Sequence, residues 1–163
     1  MSEAFAHIIE YRAILMDNFA RQPAELVALI HALPEADAHS RRVPQGHSLH
    51  QVVAHVREVE VQAFLPRLRR ILAEDRPMLE PYTSPEWTSE AYQADEPLAQ
   101  MLDDFARARA EAVALMRSMT LADWTRCGFH PPAGWRTAQW WIERIYRHAR
   151  AHVAQIRQAV TAQ

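Results

Sequence analysis

The sequence predicts an all-α protein, an antiparallel four-helix bundle with a short extra helix at its N-terminus. The 163 residues include only three glycines, whereas residues of high helix propensity such as Ala, Leu, Arg, Glu and Gln are abundant. Apolar side chains recur at helical spacing in four long segments, and proline-containing segments separate them. We expect a single domain over residues 1–163, with its core at about 22–160.

Prolines place the boundaries of the first helices. Residues 4–17 can form the short extra helix, and Pro23 suits the first turn of a separate helix, because its missing N–H would be unpaired there anyway. Pro34 ends that helix, since the residue before a proline disfavours the helical conformation. The polar segment 35–47 is expected to be a loop.

The second long helix is expected to begin after Ser48 and to reach Leu72. Serine is a favoured N-cap because its side chain accepts a hydrogen bond from an unpaired N–H of the first turn. Pro66 lies inside the helical pattern and predicts a kink or a break into two segments. Residues 75–96 then form a long loop, either the lid or wall of a pocket or a plain crossover pinned by its aromatic side chains.

The second half of the chain predicts two more long helices. Pro97 opens the third, whose apolar stripe runs to Met119. The segment 121–136 is expected to be another longer loop. Thr137 can cap the last helix, which runs to about Val160.

Composition narrows the class of function. The net charge of −2 gives no basic surface for nucleic acid, and acidic residues flank the cluster Arg67, Arg69 and Arg70, which we interpret as a solvated helix face rather than a phosphate site. The one cysteine, Cys127, allows no intramolecular disulfide. We find neither a signal peptide nor about 18 consecutive apolar residues, and therefore expect a cytoplasmic protein that binds neither nucleic acid nor membranes.

Two histidines four residues apart, His148 and His152, lie on the apolar face of the last helix. Inward-facing imidazoles need partners for their ring nitrogens, and either a divalent metal or a hydrogen-bonded core pair would supply them. His55 lies at the edge of the apolar face of the second long helix and could be a third ligand. Three neutral histidines beside an open position are typical of a catalytic metal site, whereas the motifs of thiolate zinc and carboxylate di-iron sites are absent from the sequence.

Two stretches resemble the signatures of the DinB/YfiT-like superfamily. In the first, a capping Ser48 and an apolar run precede His55 and Glu60. The second combines Gly-Trp-Arg-Thr-Ala at 134–138 with His-x-x-x-His-x-x-Gln-Ile at 148–156. This resemblance covers about 22–160 and implies a four-helix bundle, usually dimeric, whose divalent metal is held by three histidines; the matching positions are His55, His148 and His152.

The resemblance also implies an activity, because relatives include transferases and isomerases that use low-molecular-weight thiols. We therefore expect a homodimeric enzyme that acts on a small molecule with one divalent metal, Zn or Ni first and Mn or Fe next. Thiol-dependent transfer is the leading reaction. The alternatives are a metal-dependent hydrolase or isomerase, or a non-catalytic, stress-associated dimeric bundle with a vestigial metal site.

Several other side chains are candidates for the site. Glu58, one turn from His55, could orient a ligand or move a proton, or be a plain surface carboxylate. Gln155, one turn beyond His152, could support a metal-binding histidine without itself touching the metal, or be a plain surface amide. Three aromatic residues could form the wall of a pocket: Tyr82, Trp87 and Trp135.

Overall fold

The computed structural model describes residues 3–82 and 92–161, and helices dominate it. The α-helices are α1 (Glu3–His31), α2 (Glu35–Ser40), α3 (Leu49–Glu58), α4 (Leu65–Ala73), α5 (Leu98–Ser118) and α6 (Ala138–Thr161). A π-helical stretch, Val59–Phe64, joins α3 to α4, and a 3-10 turn covers Asp123–Thr125. Strands β1 (Cys127–His130) and β2 (Gly134–Thr137) form an antiparallel hairpin.

Four long helices form the bundle: α1, the continuous α3–π–α4 helix, α5 and α6. Helix α1 packs against both α5 and α6, and so does the α3–π–α4 helix. Helix α1 and the α3–π–α4 helix therefore occupy opposite corners of the bundle. The predicted four-helix bundle is therefore confirmed. Among the described helices, none is both long and apolar enough to cross a membrane.

The short extra N-terminal helix is a wrong prediction, because α1 runs without interruption from Glu3 to His31 through Pro23. Pro23 has no N–H to donate to the carbonyl of Phe19, a loss that favours a helix boundary. Phe19 and Leu26, on either side of the proline, are nevertheless both fully buried in the core. Packing on both sides of Pro23 thus keeps α1 continuous. The structure does contain an additional short helix, but it is α2, which lies within the segment 35–47 that is predicted to be a loop.

The start of the second long helix follows the prediction, and its middle shows how the chain accommodates a proline. The Ser48 side chain accepts a hydrogen bond from the Gln51 N–H at 3.1 Å, and the Gln51 side chain accepts one from the Ser48 N–H at 2.8 Å. Pro66 lies at the start of α4, directly after the π-helical stretch. The wider π turn makes room for the proline ring, so the helix changes its winding at this point without interruption.

A β-hairpin occupies most of the segment 121–136, where a loop is predicted. Its register pairs Phe129 with Trp135, and their rings pack edge to face with centroids 5.4 Å apart. Four-residue strands are too short to show a clear alternation of polar and apolar residues, which explains the missed prediction. The hairpin carries His130 and Arg136 to the wall of a cavity.

The core consists of two hydrophobic clusters that meet partway along each long helix. In α1, Phe19 belongs to the first cluster and Leu26 to the second, and in α6 the change falls between Ile145 and Ala149. Polar residues lie at or next to this boundary, and we call them the polar layer: Gln22, His55, Glu60, Arg109, His148 and His152.

Candidate metal centre

The structure brings together the three histidines singled out in the sequence. One ring nitrogen of each of His55, His148 and His152 lies within 4.8 Å of the other two. The Nε2 atoms of His55 and His148 are 3.0 Å apart, and the three ring centroids are separated by 4.6 to 5.0 Å. Helix α3 supplies the first imidazole and α6 supplies the other two, so the contact between these helices assembles the cluster.

The Nε2 atoms of His55 and His148 are close enough for one divalent ion to bind both. Zinc binds imidazole nitrogen at about 2.0–2.1 Å, which separates two neighbouring ligand atoms by roughly 3.0–3.4 Å. The 3.0 Å between the Nε2 atoms of His55 and His148 lies at the short end of that range. It also suits a hydrogen bond between the two rings. A single hydrogen bond joins only two nitrogens, whereas one metal ion can serve all three.

Burial keeps two of the imidazoles in the form that binds metals. Desolvation lowers the pKa of His148 to about 3, with additional effects from His152 and His55. Desolvation, followed by the effect of His55, lowers the pKa of His152 to about 4. Because a metal requires the neutral imidazole, both side chains can bind one at neutral pH without first losing a proton.

Gln155 contacts His152 in the way expected of a residue that orients a ligand. Its Oε1 atom lies 2.8 Å from Nδ1 of His152. Since an amide oxygen only accepts hydrogen bonds, this contact places the ring proton on Nδ1 and the lone pair on Nε2. Metal-binding histidines are commonly fixed in one tautomer by such a contact.

A cavity of about 450 Å³ opens beside His148. Aromatic side chains form one part of its wall, namely Phe64, Trp140 and Trp141, and the hairpin contributes His130. Three arginines complete the polar part of the wall: Arg67, Arg136 and Arg144. A small molecule in this cavity would therefore contact both aromatic surface and positive charge next to the histidine cluster.

The aromatic residues predicted for a pocket wall have different positions. Tyr82 lines the cavity, and Trp87 lies outside the described residues. Trp135 is 44% exposed, packs against Phe129 and lies beneath the guanidinium of Arg76, and it does not belong to the described cavity wall.

Glu58 is connected to the cavity indirectly. The hydroxyl of Tyr82 donates a hydrogen bond to its Oε1 at 3.3 Å, and Nε of Arg57 lies 3.7 Å from its Oε2. The carboxylate therefore contacts a wall residue, although Glu58 is not itself part of the described lining.

The three arginines of the cavity wall are not among the site residues predicted from the sequence. From the sequence, Arg67, Arg69 and Arg70 are expected to form a solvated helix face. Arg69 fits this expectation, because it forms an ion pair on the surface. Arg67 instead lies over the ring of Trp141, with its guanidinium carbon 5.0 Å from the ring centroid. The spacing of four residues from Trp140 to Arg144 to His148 is the signal that could have identified this wall, because it places all three on one face of α6.

The fold and the histidine cluster together define a class: four-helix bundles with a three-histidine centre. Within that class, the chain belongs to the DinB superfamily, whose family model matches residues 18–156.

Two similar proteins add to this assignment. A Bacillus pumilus protein, named as a candidate metal-dependent hydrolase, is 26% identical over 116 residues, which cover 71% of this chain and 65% of that protein. The chain thus matches slightly less than two thirds of that relative. YfiT from Bacillus subtilis, described as a candidate metal-dependent hydrolase with an unusual four-helix bundle topology, aligns with a TM-score of 0.81 at 20% identity. That alignment covers 98% of this chain and 87% of YfiT, and it shows that the fold is shared.

Proposed function

We propose that the chain is a divalent-metal-dependent enzyme that acts on a small molecule in the cavity beside His148. One observation carries the proposal: three imidazole nitrogens converge next to a cavity large enough for a small substrate. The descriptions of the two similar proteins as candidate metal-dependent hydrolases support a metal-dependent activity for this chain as well.

His55, His148 and His152 would hold the ion, and imidazole donors suit Zn or Ni better than Mg or Ca, with Mn and Fe as further candidates. Bound there, the ion would supply a Lewis acid that lowers the pKa of a coordinated thiol or water. Gln155 would hold His152 in the tautomer that presents Nε2. The rings of Phe64 and Trp141 would exclude water from the reacting end of the cavity.

We propose thiol transfer as the reaction, with a low-molecular-weight thiol as one substrate. The described part of the cavity wall contains no Asp or Glu that could take a proton from water. A thiol depends less on such a base, because its pKa of about 8.5 is far closer to neutrality than that of water. Hydrolysis is the second candidate, favoured by the descriptions of the similar proteins and by the Glu58 carboxylate bonded to Tyr82 of the wall.

Elemental analysis of protein purified without a nickel column tests the metal part of the proposal. We expect about one equivalent of a transition metal per chain. A His148→Ala variant should lose most of it, whereas His31→Ala, which changes an exposed histidine at the end of α1, should retain it. Less than about a tenth of an equivalent in the wild type, even after reconstitution, would exclude a metalloenzyme.

A panel of thiols with a generic electrophile, run beside a panel of ester and amide substrates, separates the two reactions. Thiol transfer predicts that one thiol gives metal-dependent turnover that chelation removes and His148→Ala abolishes. Metal-dependent turnover of the second panel alone would assign the protein to the hydrolases. Metal binding without turnover in either panel would favour the vestigial site.

We also propose that the chain forms a homodimer, which rests on the family resemblance alone. Light scattering should give about twice the chain mass of 18.8 kDa. A mass of one chain across the concentration range of the assay would contradict the dimer.

A further inference from the structure

We propose that the cavity beside His148 recognises an anionic substrate, through a carboxylate or phosphate group bound by Arg67, Arg136 and Arg144. The proposal rests on the proposed function, because it names the class of molecule that the same site would take. Three features of the cavity support it: its charge, its buried donors and its aromatic wall.

The charge of the wall has one sign. Arg67, Arg136 and Arg144 line the cavity, and no carboxylate lines it in the described ranges 3–82 and 92–161. The guanidinium of Arg67 loses hydration on burial and is repelled by Arg144, and both effects lower its pKa. Desolvation, Arg67 and Arg144 likewise lower the pKa of His130 across the cavity. Cations held together in this way form a binding site for an anion.

Several buried nitrogens of the wall have no hydrogen-bond partner within the part of the chain that the structure describes. They are Nε of Arg136, Nε1 of Trp141 and both ring nitrogens of His130. The Arg and Trp nitrogens can only donate, and a neutral imidazole always carries one N–H. Buried donors without acceptors are unfavourable and uncommon in folded proteins. An oxyanion would supply the missing acceptors, since each of its oxygens accepts more than one hydrogen bond.

The aromatic side chains of the wall indicate what kind of molecule carries the anionic group. The guanidinium carbons of Arg136 and Arg144 lie 5.2 and 5.4 Å from the ring centroid of Trp140, so this indole holds both cations beside the apolar wall. The ring of Phe64 and that of Trp141 continue the wall toward His148. An amphipathic anion with an apolar or aromatic body therefore matches the lining better than a small inorganic ion.

Binding of simple probes to the full chain tests the proposal. Benzoate and phenyl phosphate carry the two anionic groups on one aromatic body, and benzamide is the uncharged counterpart of benzoate. Quenching of tryptophan fluorescence reports binding, because Trp140 and Trp141 line the cavity. Each titration is run with metal-reconstituted protein and with chelator-treated protein, so that anion binding by the arginines is measured separately from binding to a metal.

We expect at least one anion to bind about tenfold more tightly than benzamide in the chelator-treated protein. Replacing Arg67 with Gln should weaken that anion by about tenfold, and Arg144→Gln, at a more exposed position, by about threefold. The control Arg117→Gln removes an equal charge from an exposed position at the end of α5 and should change the affinity by less than about twofold. Preference for benzoate or for phenyl phosphate identifies the group as carboxylate or phosphate.

Equal binding of benzamide and both anions would overturn the proposal, as would anion affinities that Arg67→Gln and Arg144→Gln leave unchanged. Arg144→Gln keeps the test decisive if Arg67→Gln does not fold, because Arg144 is exposed. If the anion-binding proposal fails in this way, the metal analysis and the turnover assays still test the proposed function independently. Conversely, if the wild-type protein takes up no metal even after reconstitution but still binds anions through these arginines, only the proposed metalloenzyme function is contradicted.

Discussion

Two sets of polar side chains lie in the same layer of the bundle, and they are stabilised in different ways. Arg109 and Glu60 form an ion pair at 2.9 Å, with side chains only 1% and 3% exposed. Arg109 also donates a hydrogen bond to Oε1 of Gln22 at 2.8 Å and lies over the ring of Phe19. This pair balances its own charge inside the core.

The three-histidine cluster consists of bases alone and lies beside a cavity. His55, His148 and His152 are bases of the same kind, and none of them can neutralise another. Burial raises the pKa of Glu60 and lowers that of Arg109, and each partner opposes the shift of the other. Desolvation and the neighbouring histidines shift the pKa of His148 in the same direction. The comparison indicates that the ion pair is structural, whereas the histidines suit an external partner.

Breaking the ion pair should have the largest effect on stability. Arg109→Met leaves the Glu60 carboxylate buried without a counter-charge, and we expect the free energy of unfolding to fall by about 3–5 kcal/mol in urea denaturation. The control is Glu25→Gln, which breaks the exposed ion pair with Arg157 and should cost less than about 1 kcal/mol. Equal losses in the two variants would show that the buried pair has no special structural role.

Metal binding should stabilise the protein through the histidine cluster. At a free metal concentration about 100 times the Kd, the expected gain is about 2.7 kcal/mol, measured as a rise in Tm on adding zinc to chelator-treated protein. His148→Ala should remove this rise and His31→Ala should preserve it. A rise that survives in His148→Ala would place the binding site elsewhere.

Loss of the contact between Gln155 and His152 should weaken the metal without abolishing it. We expect Gln155→Ala to lower metal affinity by about 10- to 100-fold in a competition titration with a chromogenic chelator. Gln158→Ala, an exposed position on the same helix, is the matched control. Unchanged affinity in Gln155→Ala would mean that the orientation of His152 is set by other contacts.

The stability of the metal-free protein should depend on pH through His148 and His152. The pKa values of His148 and His152 are lowered from 6.5 to about 3 and about 4, so between about pH 6.5 and pH 4 the unfolded state binds more protons than the folded state. Stability should therefore decrease as pH falls through this range, by less than about 1.4 kcal/mol per pH unit for each histidine.

Urea denaturation at several pH values checks this slope. The double variant His148→Ala and His152→Ala should show a flatter profile than the wild type, and His31→Gln should show the same profile as the wild type. If the double variant retains the full slope, other groups cause it.

The sequence was informative wherever periodicity determines position. A four-residue spacing places His148 and His152 on one helix face, and Ser48, a favoured N-cap residue, predicts the start of α3. The continuity of α1 through Pro23 was not predictable in this way, because it depends on tertiary packing at Phe19 and Leu26.

The cavity wall was hidden for a related reason. His130 and Arg136 lie in the cavity wall because a hairpin with short strands places them there. Arg67 lies in the wall with its guanidinium packed over the ring of Trp141. Contacts between segments distant in the sequence leave no local pattern. The candidate metal-binding histidines, which lie on regular helices, could therefore be predicted, whereas most of the cavity wall could not.

Anomalous diffraction from crystals of metal-reconstituted protein, collected at the absorption edge of the bound metal, tests the central claim most directly. We predict one strong peak per chain at bonding distance, about 2.0–2.1 Å, from a ring nitrogen of each of His55, His148 and His152. A peak elsewhere, or no peak at the three histidines in protein that carries one equivalent of metal, would contradict the assignment.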